Sequence, residues 1–162
     1  MNLWARIKQL SVRQLFKLSL LFMSRPLLIL PTLRATKETM KICDERFGMA
    51  HHKNNRANAF RHALWNYTIC EKTLKFVKTD EKALIWAEKV TKLYEKVTKN
   101  DVLAQAMDLH NNEIGRMLFL NEKTSKIDDF LSFLTEMMKK AVKIIKIEET
   151  NMYTKQLVYI SE

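Results

Sequence analysis

An all-α fold, a single compact bundle of five or six helices with a buried polar network between two central helices, is what this sequence predicts. Three observations carry that expectation. Two Gly and two Pro in 162 residues leave little material for the tight turns of a sheet, because these residues supply the backbone angles such turns need. Apolar content of 47% is enough for one domain with a real core. The apolar residues also recur at the 3.6-residue period of a helix rather than the two-residue period of a strand.

Residues 1–23 read as the first helix. Leu3, Trp4, Ile7, Leu10, Leu15, Leu18, Leu21 and Phe22 share a broad apolar arc, and Arg6, Arg13 and Lys17 line up opposite. Two readings stand: an interfacial membrane anchor, or a helix docked on the core with its basic face in water. Lys17 and Arg25 confine the uncharged apolar run to Leu18–Met23, far short of the ~20 residues needed to span a bilayer. The same interruption argues against a cleaved signal peptide. Arg25 to Pro31, RPLLILP, encloses a short apolar run between prolines, which predicts a bend tucked under the core or dipped into a bilayer interface. The chain thus divides into a basic amphipathic helix with a Pro-bounded bend (1–34), a helical core (35–150) and a tail (151–162).

A further helix is expected from Thr32 or Thr36 to Phe47, stopped by Gly48. The loop His51 to Arg56 follows, with Asn54 or Asn55 as N-cap of the next helix. Adjacent histidines can bind metal or sense pH, but no third ligand at a recognised spacing accompanies them. Lys53 and Arg56 in the same loop repel cations and suit an anionic substrate at a site entrance instead.

The central helix, Arg56 to Phe76, contains Ala57 to Cys70, ANAFRHALWNYTIC, which carries no Lys, Asp or Glu in a chain that is 28% charged. That composition predicts burial. At about 100° per residue, Asn58, Arg61, His62, Trp65, Asn66 and Ile69 fall on one arc about 140° wide. Burying such groups unpaired costs on the order of 1–3 kcal/mol each, so partners must lie elsewhere in the chain. They are found in MDLHNNEIGR, Met107 to Arg116. If Val102 to Leu120 is helical, Asp108, Asn111, Asn112, Gly115, Arg116 and Phe119 form a matching stripe. The two inventories are complementary, since Asp108 can accept from Arg61 or protonated His62 while Arg116 and the amides donate and accept among themselves. His110 turns about 200° away from Asp108 and Asn112 and is expected to pack in the core.

Between these helices, Asp80 to Thr98 buries Leu84, Ala87, Val90, Leu93, Tyr94 and Val97. Glu95 sits at the border of that arc, where an ion pair with Lys92 or Lys99 on the helix surface is the favoured reading and a reach into the polar network the functional one. The last long helix is expected from Ser125 to Ile147, with Ile127, Phe130, Leu131, Leu134, Met138, Ala141, Val142 and Ile145 buried and Lys139, Lys143 and Lys146 wet. Tyr153 to Ile160 has strand-like composition and no visible partner strand.

The segments NAFRHALWN and MDLHNNEIGR resemble the two blocks of an uncharacterised bacterial family, a small helical domain of unknown function. Its members carry Asn/Asp-Ala-Phe-Arg-His-Ala-x-Trp-Asn and Met-Asp-Leu-x-Asn-Asn-x-x-Gly-Arg. The likeness covers about Ala35 to Leu120. It implies no established activity, cofactor or substrate. Relatives are similar in carrying a His-Glu pair where this chain has Tyr94 and Glu95, which implies that any role of that histidine is lost here while the carboxylate is kept.

His62, with Asn58 and Asn66 a turn either way and Asp108 and Glu95 from other helices, is what a general base with orienting carboxylates requires. Arg61 and Arg116, with Trp65, Asn111 and Asn112, would hold a phosphate or oxyanion. Cys70 lies two turns from His62, so a hydrolysis would use water. No Glu-x-x-His or His-x-x-x-His pair occurs, and no metal or other cofactor is expected. Two functions remain open: a metal-independent hydrolase acting on an anionic phosphodiester or lipid, and a helical scaffold or membrane-surface interaction protein whose network is structural. A net charge of +10 and pI near 9.6 favour anionic partners, a small molecule, a lipid or the acidic face of a membrane ahead of nucleic acid. Two cysteines are too few for a disulfide framework, which points to a cytoplasmic protein, with peripheral association at the inner face of the membrane in keeping with the first helix. Nothing in the sequence fixes the oligomeric state.

Overall fold

The structure, a computed structural model, describes residues 11–98, 101–122 and 127–161. Six α-helices run among them: α1 Val12–Ser24, α2 Ile29–Phe47, α3 Arg56–Val77, α4 Asp80–Thr98, α5 Val102–Asn121 and α6 Ile127–Lys139. Short 3-10 turns cover Pro26–Leu28, Gly48–His52 and Ile147–Met152, and two brief strands, β1 Val142–Lys143 and β2 Val158–Tyr159, complete the order. The all-α bundle expected from the sequence is the observed architecture. The part of the first helix within residues 1–10 lies outside the described residues, as does Ser125. No helix among the described residues is long and apolar enough to cross a membrane.

Helix α3 is the axis of the bundle, with α2, α4, α5 and α6 packed around it. From Ala57 to Cys70 every side chain except half-buried Trp65 is buried, as the absence of Lys, Asp and Glu predicts. Its start is fixed by Asn55, whose side chain accepts from the backbone N–H of Asn58 at 3.1 Å. Its end is a left-handed Lys78 whose N–H bonds Leu74 O at 2.8 Å. Helix α5 begins the same way, Asp101 accepting from Ala104 N at 3.0 Å.

The two polar helices approach closely because Gly115 faces the backbone of Ala63. A Cβ on Gly115 would meet the Ala63 carbonyl and lie 2.8 Å from its Cα. Helix α2 locks onto that axis and onto α4 through threonines: Thr39 shares a 2.9 Å hydrogen bond with Thr68, Trp65 Nε1 donates to Thr36 Oγ1 at 2.9 Å, and Trp86 on α4 donates from Nε1 to Thr32 Oγ1 at 2.9 Å. Below them, Tyr67 stacks on Phe130 with centroids 3.5 Å apart.

The structure departs from expectation at both ends of the chain. Helix α2 starts at Ile29, so Pro31 lies inside its first turn, where a missing N–H is tolerated; the bend falls at Arg25 alone. The last long helix stops at Lys139 rather than Ile147. Beyond it the backbone straightens and bonds the tail, Val142 N to Leu157 O at 2.9 Å and Ile144 N to Tyr159 O at 2.8 Å. The gain is a second small core of Met107, Ile144 and Val158, which leaves Ile145 exposed rather than buried. Tyr153 to Ile160 therefore does find a strand partner, in parallel register Val142 to Val158 and Lys143 to Tyr159.

Candidate functional site

Three helices deliver polar side chains to one buried point: His62 from α3, Glu95 from α4, and Asp108 and Asn112 from α5. All four are buried. His62 Nδ1 lies 3.1 Å from Asn112 Oδ1 and 3.5 Å from Glu95 Oε1. On the opposite edge of the ring, Nε2 lies 2.7 Å from Arg61 Nη2 and 3.2 Å from Asp108 Oδ1. The expectation that Glu95 pairs with a surface lysine is corrected by its burial. It occupies the inward face of α4 one turn after Thr91, also buried, whose hydroxyl donates to Asn66 Oδ1 at 3.2 Å.

Two protonation patterns compete for the ring. Carboxylates at both nitrogens suit an imidazolium, whereas Arg61 can only donate and therefore needs Nε2 as an acceptor. The Arg61 contact is the shorter and assigns the neutral tautomer with its proton on Nδ1, directed at Asn112 Oδ1. The surrounding amides agree with that assignment. Asn112 Oδ1 also accepts from Asn66 Nδ2 at 2.7 Å, while Asn112 Nδ2 donates to Glu95 Oε1 at 3.4 Å. Asn66 Oδ1 in turn accepts from Thr91 and from Arg116 Nη1 at 3.0 Å. Burial lowers the basicity of Arg116, opposed by Glu88 and Glu113.

Of the other residues expected at the site, Trp65 lies beside the cluster, its ring 6.5 Å from His62 and 5.2 Å from Tyr94. Asn58, one turn before His62 on α3, is buried, and its Oδ1 has no hydrogen-bond partner among the described residues. Asn111 turns elsewhere: its side chain takes both backbone groups of Val158, at 2.9 and 3.0 Å. His110 is half-buried rather than packed in the core and bonds Gln156 O at 2.8 Å, a second clamp on the tail. Thr91, Thr36 and Tyr94 were not foreseen; a Thr91 and Glu95 pair four residues apart beside Ala87 is the signal that could have found the first.

Arg61 links the cluster to the turn before α3, with Nη1 3.4 Å from His52 Nδ1. There His51, fully buried, contacts Asp44 Oδ1 through Nε2 at 2.8 Å, and its ring lies against that of His52 at a 38° tilt with centroids 4.0 Å apart. Burial lowers the pKa of His51 despite the Asp44 contact. Both cysteines are free and buried, with thiols pushed up to about 12, which rules them out as ready nucleophiles.

Among the described residues, two groups have ligand atoms close enough to hold a metal ion, His62 with Glu95 and Asp108, and Asp44 with His51 and His52. In the first, one nitrogen of His62 and one oxygen each of Glu95 and Asp108 lie within 4.8 Å of one another, and Arg61 and Asn112 contact the same ring nitrogens. In the second, the Arg61 guanidinium beside His52 disfavours a cation. The first arrangement also suits moving a proton through an imidazole held on both edges.

No curated protein and no solved structure matches the chain. With a match that runs from residue 19 to 142, past both ends of the 35–120 stretch that carries the two sequence blocks, the chain belongs to the family described as a domain of unknown function (DUF6973).

Proposed function

We propose that His62 is the general base of a metal-independent hydrolase acting on an anionic substrate, a phosphodiester or a lipid. One observation carries this reading: Nε2 lies 2.7 Å from the Arg61 guanidinium, a group that can only donate, and 3.2 Å from the Asp108 carboxylate. When Nε2 takes a proton, the Asp108 carboxylate 3.2 Å away stabilises the imidazolium by its charge, through an ion-pair contact rather than a formed hydrogen bond. Glu95 and Asn112 hold the ring by its other edge throughout.

Arg61 supplies the link to substrate. An anionic group drawn to its guanidinium pulls it off the imidazole and bares the lone pair. Water is then deprotonated by Nε2 as it adds to the phosphorus or acyl carbon, Arg61 and Arg116 stabilise the charge on the oxyanion, and the imidazolium returns the proton to the leaving oxygen. The buried Asn58 Oδ1 offers an acceptor to a ligand donor or water on the same helix face.

The test is turnover by wild type and His62→Gln of bis(p-nitrophenyl) phosphate, anionic phospholipid vesicles and single-stranded RNA, with melting followed in parallel. Wild type should turn over one class and His62→Gln should lose a factor of about 10²–10⁴ while remaining folded. Unchanged turnover in a folded His62→Gln removes His62 from catalysis. A second reading, a network that only fixes helix packing, is favoured by Asn66, Thr91 and Asn112, which are fully buried and satisfied. Absence of turnover by folded wild type on all three classes would select it.

A further inference from the structure

The far end of the bundle from the clamped tail carries an apolar surface that nothing among the described residues covers. On α1, Val12, Phe16, Leu20 and Met23 are 85%, 61%, 50% and 75% exposed. At 100° per residue they lie within about 80° of one another, away from Leu21 and Phe22, which pack against the core. The exposure continues past the bend with Leu27 at 76% and Leu30 at 63%. A water-soluble helix normally turns such residues inward.

Beside this ridge, at the Arg25 bend, lie two adjoining hollows of about 410 and 210 Å³. Their apolar walls include Leu28, Val77, Phe76 and Ile85, and their rims carry Arg25, Lys82 and Lys89. None of the three cations has an acidic partner among the described residues. Cations left unneutralised around apolar walls are the inverse of what stabilises an isolated domain, and they complement a surface that is apolar inside and anionic outside.

The charge selects the occupant. Residues 1–10 carry Arg6 and Lys8 and no acid, so they mismatch a cationic rim. A second copy brings another net charge of +10 against the first. Val12, Phe16, Leu20, Met23, Leu27 and Leu30 present an apolar ridge that suits acyl chains, and the cations beside it suit anionic headgroups. We propose that this face, α1 together with the Arg25 bend, seats on an anionic lipid bilayer, with the ridge at the level of the acyl chains and Arg25, Lys82 and Lys89 among the headgroups. The inference stands independently of His62.

The experiment is sedimentation of the full chain with vesicles of phosphatidylcholine alone or of an equimolar mixture with phosphatidylglycerol. Binding to the mixed vesicles and little to the neutral ones is expected, weakening as salt is raised. The variant Arg25→Glu/Lys82→Glu/Lys89→Glu should bind at least tenfold less, since each basic group near an anionic surface is worth roughly fivefold. A charge-matched control, Lys140→Glu/Lys143→Glu/Lys155→Glu, should lose less than threefold. Phe16→Ser/Leu20→Ser/Leu27→Ser, which alters only exposed positions, should abolish binding with melting unchanged. Failure to pellet with mixed vesicles, or equal losses from the two charge triples, overturns the proposal; the first outcome points to an acidic protein partner and the second to adsorption by net charge alone.

Discussion

Replacing Asn112 by Asp tests the hydrogen-bond assignment at its hub. Asn112→Asp keeps Oδ1, so the contacts from Asn66 at 2.7 Å and His62 at 3.1 Å survive; what changes is the donor that faces Glu95 Oε1 at 3.4 Å. Two carboxylates at that separation repel by about 5 kcal/mol at an effective dielectric of about 20, so one takes up a proton instead. Holding a carboxyl protonated at pH 7 costs about 1.4 kcal/mol per pH unit above an unfolded value near 4, which caps the penalty at about 4 kcal/mol. The donors of Asn66 and His62 recover part of it. The expected loss is about 3 kcal/mol at pH 7, a Tm lowered by roughly 6–12 °C in a chain of this size. The sign follows from the shared proton: the folded pKa of that carboxyl is raised, so stability is present at low pH and lost as pH rises. The gap to wild type should therefore narrow by about 1.4 kcal/mol per unit between pH 7 and 5. Urea denaturation of both proteins from pH 5 to 8 reads it directly. A gap that stays constant, or none at pH 8, would refute the claim that Asn112 Nδ2 is the donor facing Glu95.

Gly115→Ala drives a methyl into the backbone of Ala63; because backbone cannot move aside, overpacking of about 2–3 kcal/mol, less about 1 kcal/mol of helix propensity, leaves a net loss of about 1–2 kcal/mol by thermal denaturation, and equal or greater stability would mean that the helices do not touch there. Asn111→Ala removes both bonds to Val158 and should cost about 2–3 kcal/mol, with limited proteolysis cutting first within residues 153–161. His51 is held in its neutral form by burial, so its folded pKa lies below 6.5. The stability it confers is present above the unfolded value and lost as pH falls through and below it, and His51→Gln should flatten the loss of stability between pH 7 and 5.

Helix periodicity made half of the site legible. The stripes of Ala57–Cys70 and Met107–Arg116 do face each other, because polar residues in an otherwise uncharged helix have no other way to be satisfied. Glu95 was harder, since Lys92 and Lys99 offered a local partner and only tertiary packing shows that its turn of α4 points inward. Asn111 carried the right spacing for the stripe, yet the nearest unpaired backbone belonged to Val158, far along the chain. The early end of the last helix has the same cause: a strand pairing across the intervening turn leaves no trace in local periodicity. The threonines of α2 that receive the indoles of Trp65 and Trp86 read as neutral helix residues until the tryptophans are placed against them.

The protonation of the His62 ring tests the account most directly. Long-range proton–nitrogen NMR of the folded wild type at neutral pH distinguishes a protonated from a bare imidazole nitrogen. The geometry predicts a proton on Nδ1, toward Asn112, and a bare Nε2 facing Arg61. Protons on both nitrogens, an imidazolium bridging Glu95 and Asp108, would contradict it and leave His62 with no lone pair to act as a base.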